Sequence, residues 1–377
     1  MSRQNNTVIN TSAEKESSLN LPMSCYLLSA INASGTASAA LYNAVVNNAL
    51  FSKPSLTPIT IDASTTASYL QVELDILQDL EIDERMMLMV EHLIAEAKNN
   101  LTTTTPFSYD DIKQVWVVSH LPHYTDQQNK NSVREWQQNV QNKLKACFAQ
   151  PDTLSIRFVT EQALNDIFTL SEPVLLLMVD SFHSPECVAQ LKSAHKIQVV
   201  DGKPGLVVGE GAICALLVPQ SLLAPSHDQN TNVMPLSIES FNPEQKLSLN
   251  EQLKQAEVSV EDVFVHVGIN DEAWIKTWYQ QSHYLVTTNE QHQIKDLKLT
   301  MAEQGNFLTL YTPNSIVGYA GAADFFTGLY FAQAWLQFPL HHSKPSASIY
   351  VIANHVVSST EHSLTPSLYR LRQQQIG

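Results

Sequence analysis

Few residues in this chain have the type and spacing that chemistry needs. Cys25, Cys147, Cys187 and Cys214 stand far apart, with no Cys-x-x-Cys pair and no Cys/His cluster. Neither a disulfide framework nor a structural zinc site is indicated, and each cysteine reads as a small core hydrophobe. His120-Leu-Pro-His123 and His341-His342 hold potential metal ligands, but no carboxylate or third ligand stands at a helpful spacing. Surface loops account for them, and no metal site is expected. His266 lies inside the apolar run Val263-Phe-Val-His266-Val, where a single histidine reads as a hydrogen-bonded core residue. Asn270 or Asp271 reads as the N-cap of a helix beginning at Glu272. Trp274 and Trp278, four residues apart, share one face of that helix and anchor it to its neighbour.

The glycines are more informative than the ionisable groups. The chain has only 11, well below the usual share of about 7%. Several of them nevertheless fall in two short stretches, Gly205-Leu-Val-Val-Gly209-Glu210-Gly211 and Gly318-Tyr319-Ala-Gly321 running on to Gly328. A chain that otherwise avoids glycine needs backbone freedom or close approach at those points.

The elements that must position these residues alternate between strand and helix. Cys25 to Ala30, Val115 to Ser119, Ser155 to Val159, Val174 to Val179, Gly205 to Val218, Val263 to Val267, Phe307 to Tyr311 and Ala347 to Ala353 read as strands. Helical spacing is expected from Asn32–Gly35 to about Ala49, around Met86–Ala97, and over 133–148, 161–170, 247–256, 272–281 and 319–338. The Met-rich stripe of the second of these reads as core packing. Apolar strands bounded by helices argue for a sheet covered on both faces, hence an α/β architecture. The polar interval 224–234 is the best boundary. It divides a polar tail, 1–20, and a first half, 21–224, from a second half, 235–377, in which the order of elements begins again.

The formal net charge is −15 and the hydrophobic fraction is 44%. So acidic a chain, with no basic block, argues against nucleic acid as a partner. No apolar run approaches the roughly 18 to 20 residues that span a bilayer, so the chain reads as cytoplasmic.

The segment Pro173-Val-Leu-Leu-Leu-Met-Val-Asp180-Ser181 followed by Gly205-Leu-Val-Val-Gly209-Glu210-Gly211-Ala212 resembles the β-ketoacyl synthases of the thiolase superfamily. In those proteins a strand with a glycine-rich turn precedes a Gly-Phe-x-x-Gly-Glu-Gly-Ala strand. Ser315-Ile-Val-Gly318-Tyr319-Ala320-Gly321-Ala322-Ala323-Asp324 is similar to their Gly-His-x-x-Ala-Ala-Gly helix start. With element order, the resemblance runs from about Leu21 to the end. It implies a thiolase-like, five-layered αβαβα fold built from two similar halves, with Gly205, Gly209, Glu210, Gly211, Gly318 and Gly321 as structural positions.

Ketosynthase chemistry needs a thiolate at a helix N-terminus and two histidines, or a histidine and an asparagine. By the resemblance, the nucleophile belongs after Ser155–Val159, where Thr160 stands and no cysteine is present. The first family histidine belongs after the strand that holds His266, in a turn here reading Gly268-Ile-Asn270. The second stands where this chain has Tyr319, which donates a hydrogen bond but does not shuttle protons near neutral pH. Thr160, His266, Asn270 and Tyr319 are therefore the vestigial-site candidates.

Two functions follow as expectations. One is a catalytically inactive β-ketoacyl synthase-like protein acting as a partner subunit, scaffold or adaptor. The other is an active acyl-transfer or condensing enzyme with non-standard residues, using acyl-CoA or acyl carrier protein. No cofactor is expected. The resemblance implies a protein partner: a homodimer, a heterodimer with a thiolase-fold subunit, or an acyl carrier protein.

Overall fold

A computed structural model describes residues 23–34, 36–47, 59–62, 65–67, 69–70, 80, 82–120, 130–148, 151–159, 166–167, 169–182, 188, 207–223, 235–242, 246–258, 262–268, 274, 276, 278, 309–337, 348–354 and 366–373. The polar tail 1–20, the boundary interval 224–234, Gly205, Thr160 and Asn270 lie outside them.

In the first half, β1 (Met23–Ile31) is followed by helix α1 (Ser38–Val46) and the small ribbon β2 (Ile59–Asp62) with β3 (Thr65–Ala67). Next come β4 (Tyr69–Leu70), α2 (Ile82–Thr104), β5 (Gln114–Val118), α3 (Lys130–Cys147), β6 (Ser155–Val159), β7 (Val174–Ser181) and β8 (Val208–Pro219). The second half supplies β9 (Leu236–Ser240), α4 (Leu249–Gln255), β10 (Val263–Gly268), β11 (Thr309–Tyr311), α5 (Asp324–Gln337), β12 (Ile349–Asn354) and β13 (Ser367–Gln373).

The main sheet is 11-stranded, with the path β11-β10-β12-β13-β9-β1-β8-β7-β5-β6 and β4 beside β8. Counting main strands from the start of each half, both halves share the order third, second, fourth, fifth, first. In both, the second strand pairs parallel with the third and fourth, and the fifth runs antiparallel between fourth and first. The halves join where β1 pairs antiparallel with β9, Ser24 opposite Ser237. The repeat is thus visible in topology where no residue repeat is visible in sequence.

Alternation along the strands builds the layers. Val174, Leu176 and Met178 of β7 face a central core with Val263, Val265 and Val267 of β10 and Ile349, Val351 and Ala353 of β12. The opposite faces of β7 and β5 pack against α2 and α3. The opposite faces of β10 and β12 pack against α4 and the tryptophan-bearing segment. A bulge between Leu27 and Ser29 shifts β1 by one residue, so that Leu27 and Ala30 both face the central core. Helix, sheet, helix, sheet, helix is the five-layered αβαβα body. Its central layer holds α5, buried from Asp324 to Trp335, and α1, whose Tyr42 ring stacks on Phe331 at 5.9 Å.

The elements have local causes. The apolar stripe Met86, Met89, Val90, Leu93, Ile94, Ala97 and Leu101 seats α2 on the sheet, and Asp83 and Glu84 in its first turn suit the helix dipole. Ser248 and Glu251 form a capping box at the start of α4. The helix expected from Tyr319 starts later, at Asp324, because Gly318 and Gly321 adopt positive φ and break the turn before it.

Candidate functional site

Parallel α/β sheets present their ligand-binding groups at the carboxyl ends of the strands. In the first half those ends are Ser119 and His120 after β5 and Asp180–Phe182 at and after β7. One carboxylate gathers them. Asp180 Oδ1 accepts from Ser119 Oγ at 3.0 Å and from the His120 backbone N–H at 2.7 Å. Its Oδ2 accepts from the Ala322 N–H at 2.6 Å and lies 2.7 Å from His120 Nδ1. Because Oδ2 already accepts from the Ala322 N–H, the His120 contact is read with Nδ1–H as its donor.

The Gly321 turn, with φ +53°, lies so close that a Cβ there would clash with Asp180 Oδ2 and meet His120 Nδ1 at 2.7 Å. Beside it the two glycine motifs meet. Gly209 N–H donates to Tyr319 O at 3.0 Å, Tyr319 N–H donates to Val207 O at 2.7 Å, and a Cβ on Gly209 would meet the Val317 carbonyl at 2.8 Å. Tyr319 itself is 1% exposed, with its ring 5.3 Å from Phe182.

Glu210 is fully buried and paired to Arg85 of α2, whose Nε lies 2.9 Å from Oε2; Ser181 Oγ donates to the same oxygen at 2.9 Å. In the second half Asn314 Oδ1 accepts from Gly268 N–H at 3.1 Å, and Asn314 Nδ2 donates to Gly318 O at 3.1 Å.

Tyr319, Gly209, Glu210, Gly211, Gly318 and Gly321 are therefore brought into one neighbourhood. His266 is not turned toward it. Its neighbours Val265 and Val267 face the central core, while its ring stacks on Trp274 at 4.0 Å and 13° in the outer layer. Burial drives its pKa down to about 3, so the imidazole is neutral. Trp274 stacks in turn on Trp278 at 6.0 Å, and both belong to the outer core with Phe264.

His120 corrects the surface-loop expectation. It is only 5% exposed, because the end of β5 lies beneath the Gly321 turn. Arg85, Ser119 and Asp180 are the other site residues that sequence reasoning passed over. The available signal was that His120 and Asp180 each follow an apolar run that ends a parallel strand.

Chemically, Asp180 orients an imidazole as it would a general base. The hydroxyl in the set, Ser119, donates to Asp180 rather than to the ring, so these two do not form a nucleophile–base pair. The described cysteines are not activated thiols either. Burial pushes Cys214 up to about 12 and raises Cys25 and Cys147 as well. Cys187 lies outside the described residues. Among the described residues no group of three or more His, Cys, Asp or Glu side chains is placed to hold a metal ion, and no helix is long and apolar enough to cross a membrane.

No protein-family model and no curated protein matches the chain. Solved structures do. The ketosynthase from module 6 of the bacillaene synthase from Bacillus subtilis 168 is 10% identical, with a TM-score of 0.57 over 94% of this chain and 72% of that one. A type II PKS acyl-carrier protein in complex with its ketosynthase bound to the hexaketide gives 11% identity and a TM-score of 0.59 over 94% and 100%. The ishigamide ketosynthase/chain length factor gives 12% and 0.52 over 94% and 99%. The chain has the thiolase-like fold of these ketosynthases.

Proposed function

We propose that this chain is a ketosynthase-fold protein without condensing activity that serves as a partner subunit or scaffold, in the manner of a chain length factor. One observation carries the reading. The connection from third to fourth strand, which holds the central-layer helix α5 in the second half and spans residues 312–348 there, spans only residues 160–173 in the first half. By the resemblance, the latter is the connection on which a nucleophile would stand at a helix tip. The whole of that stretch is no longer than the 14 residues of α5 alone. The raised thiol pKa values and the buried Tyr319 at the second motif point the same way.

A second reading, an active acyl-transfer enzyme, has one observation in its favour. Ser119 N–H donates to Val159 O at 3.3 Å, so the end of β5, with its Asp180-oriented His120, adjoins the end of β6, after which Thr160 follows in sequence.

Incubating the full chain with acetyl-, octanoyl- and palmitoyl-CoA and with an acylated carrier protein separates the two. The partner reading expects no increase in intact mass and, on capture from the native cell, a Cys-bearing ketosynthase or carrier protein in near-equal amount. A stoichiometric acyl adduct mapping to Thr160 overturns it.

A further inference from the structure

We draw no further inference here: the strongest candidate, the apolar cavity of the outer layer that Cys147 of α3 and Cys214 of β8 line together with Ile94, Ala97, Tyr109 and Phe148, carries nothing, because nothing in the structure shows what would fill it.

Discussion

Asp180 is the residue whose loss should cost most for its size. Its carboxylate serves a hydroxyl, two backbone N–H groups and an imidazole, all buried. Asp180→Ala removes the acceptor common to all four, and breaking a buried ionic or hydrogen-bonded set from one side costs about 3–5 kcal/mol. Asp180→Asn, which keeps one acceptor oxygen, should cost less. Urea unfolding of both variants checks the order, and a neutral Asp180→Ala would remove the carboxylate from the centre of the argument. This set was not legible in the sequence, because His120 and Asp180 stand 60 residues apart and Ala322 lies 142 beyond Asp180. A lone histidine after a strand carries no sign of which carboxylate folds over it. His266 was legible as a buried strand residue, and it makes a pH prediction. Its folded pKa of about 3 lies below the ordinary 6.5, so the unfolded chain binds a proton first as pH falls. Its contribution is complete above pH 6.5 and is lost toward pH 3 at about 1.4 kcal/mol per unit. Lowering the pH from 7.5 to 5.5 should therefore destabilise wild type by about 1.4 kcal/mol more than His266→Phe; equal losses would show that the imidazole is not buried neutral.

Strands with continuous apolar runs were readable, and so was the exposed or half-buried β6, but β9 and β13 were not. β7 and β8 are buried at every position, and their sequences say so. β9 alternates buried and half-buried residues, and β13 reads Ser-Leu-Tyr-Arg-Leu-Arg-Gln, so neither shows an apolar run, although they are the first and fifth strands of the second half. A period of two over five to seven residues is weaker than an unbroken run. What seats α2 was hidden as well. Its hydrophobic stripe was plain, but Arg85, which is 1% exposed, ties it to Glu210 of β8. Buried ion pairs punish the loss of one partner more than the loss of both. Glu210→Leu alone, which removes the carboxylate facing the buried guanidinium, should cost about 3–5 kcal/mol, while Arg85→Met with Glu210→Leu should recover most of it. Denaturant midpoints of the two single variants and the double variant give the coupling, and additive losses would mean that the pair does not hold α2.

At the scale of the whole molecule, two halves of like topology share one central core between their outer ones. Inward residues from both sheets belong to a single cluster with α1 and α5, β1 pairs with β9 across the join, and the Gly209–Gly318 backbone contact and the Asp180–Ala322 hydrogen bond stitch the strand ends together. The glycine motifs announced close approach in sequence, but only topology shows that the approach is between halves. A central layer common to both sheets leaves neither half able to keep its inner face covered when the other opens, so they should unfold together. The chain has five tryptophans, of which Trp136 reports on the outer layer of the first half, Trp274 on that of the second, and Trp335 on the shared centre. Labelled with 5-fluorotryptophan and followed by fluorine resonance through a urea titration, these three signals should lose native intensity at one midpoint. Gly209→Ala, which drives a methyl into the Val317 carbonyl, should move that midpoint down for all three together. Separate midpoints for Trp136 and Trp274 in wild type would mean that the two halves are neighbours and not one cooperative body.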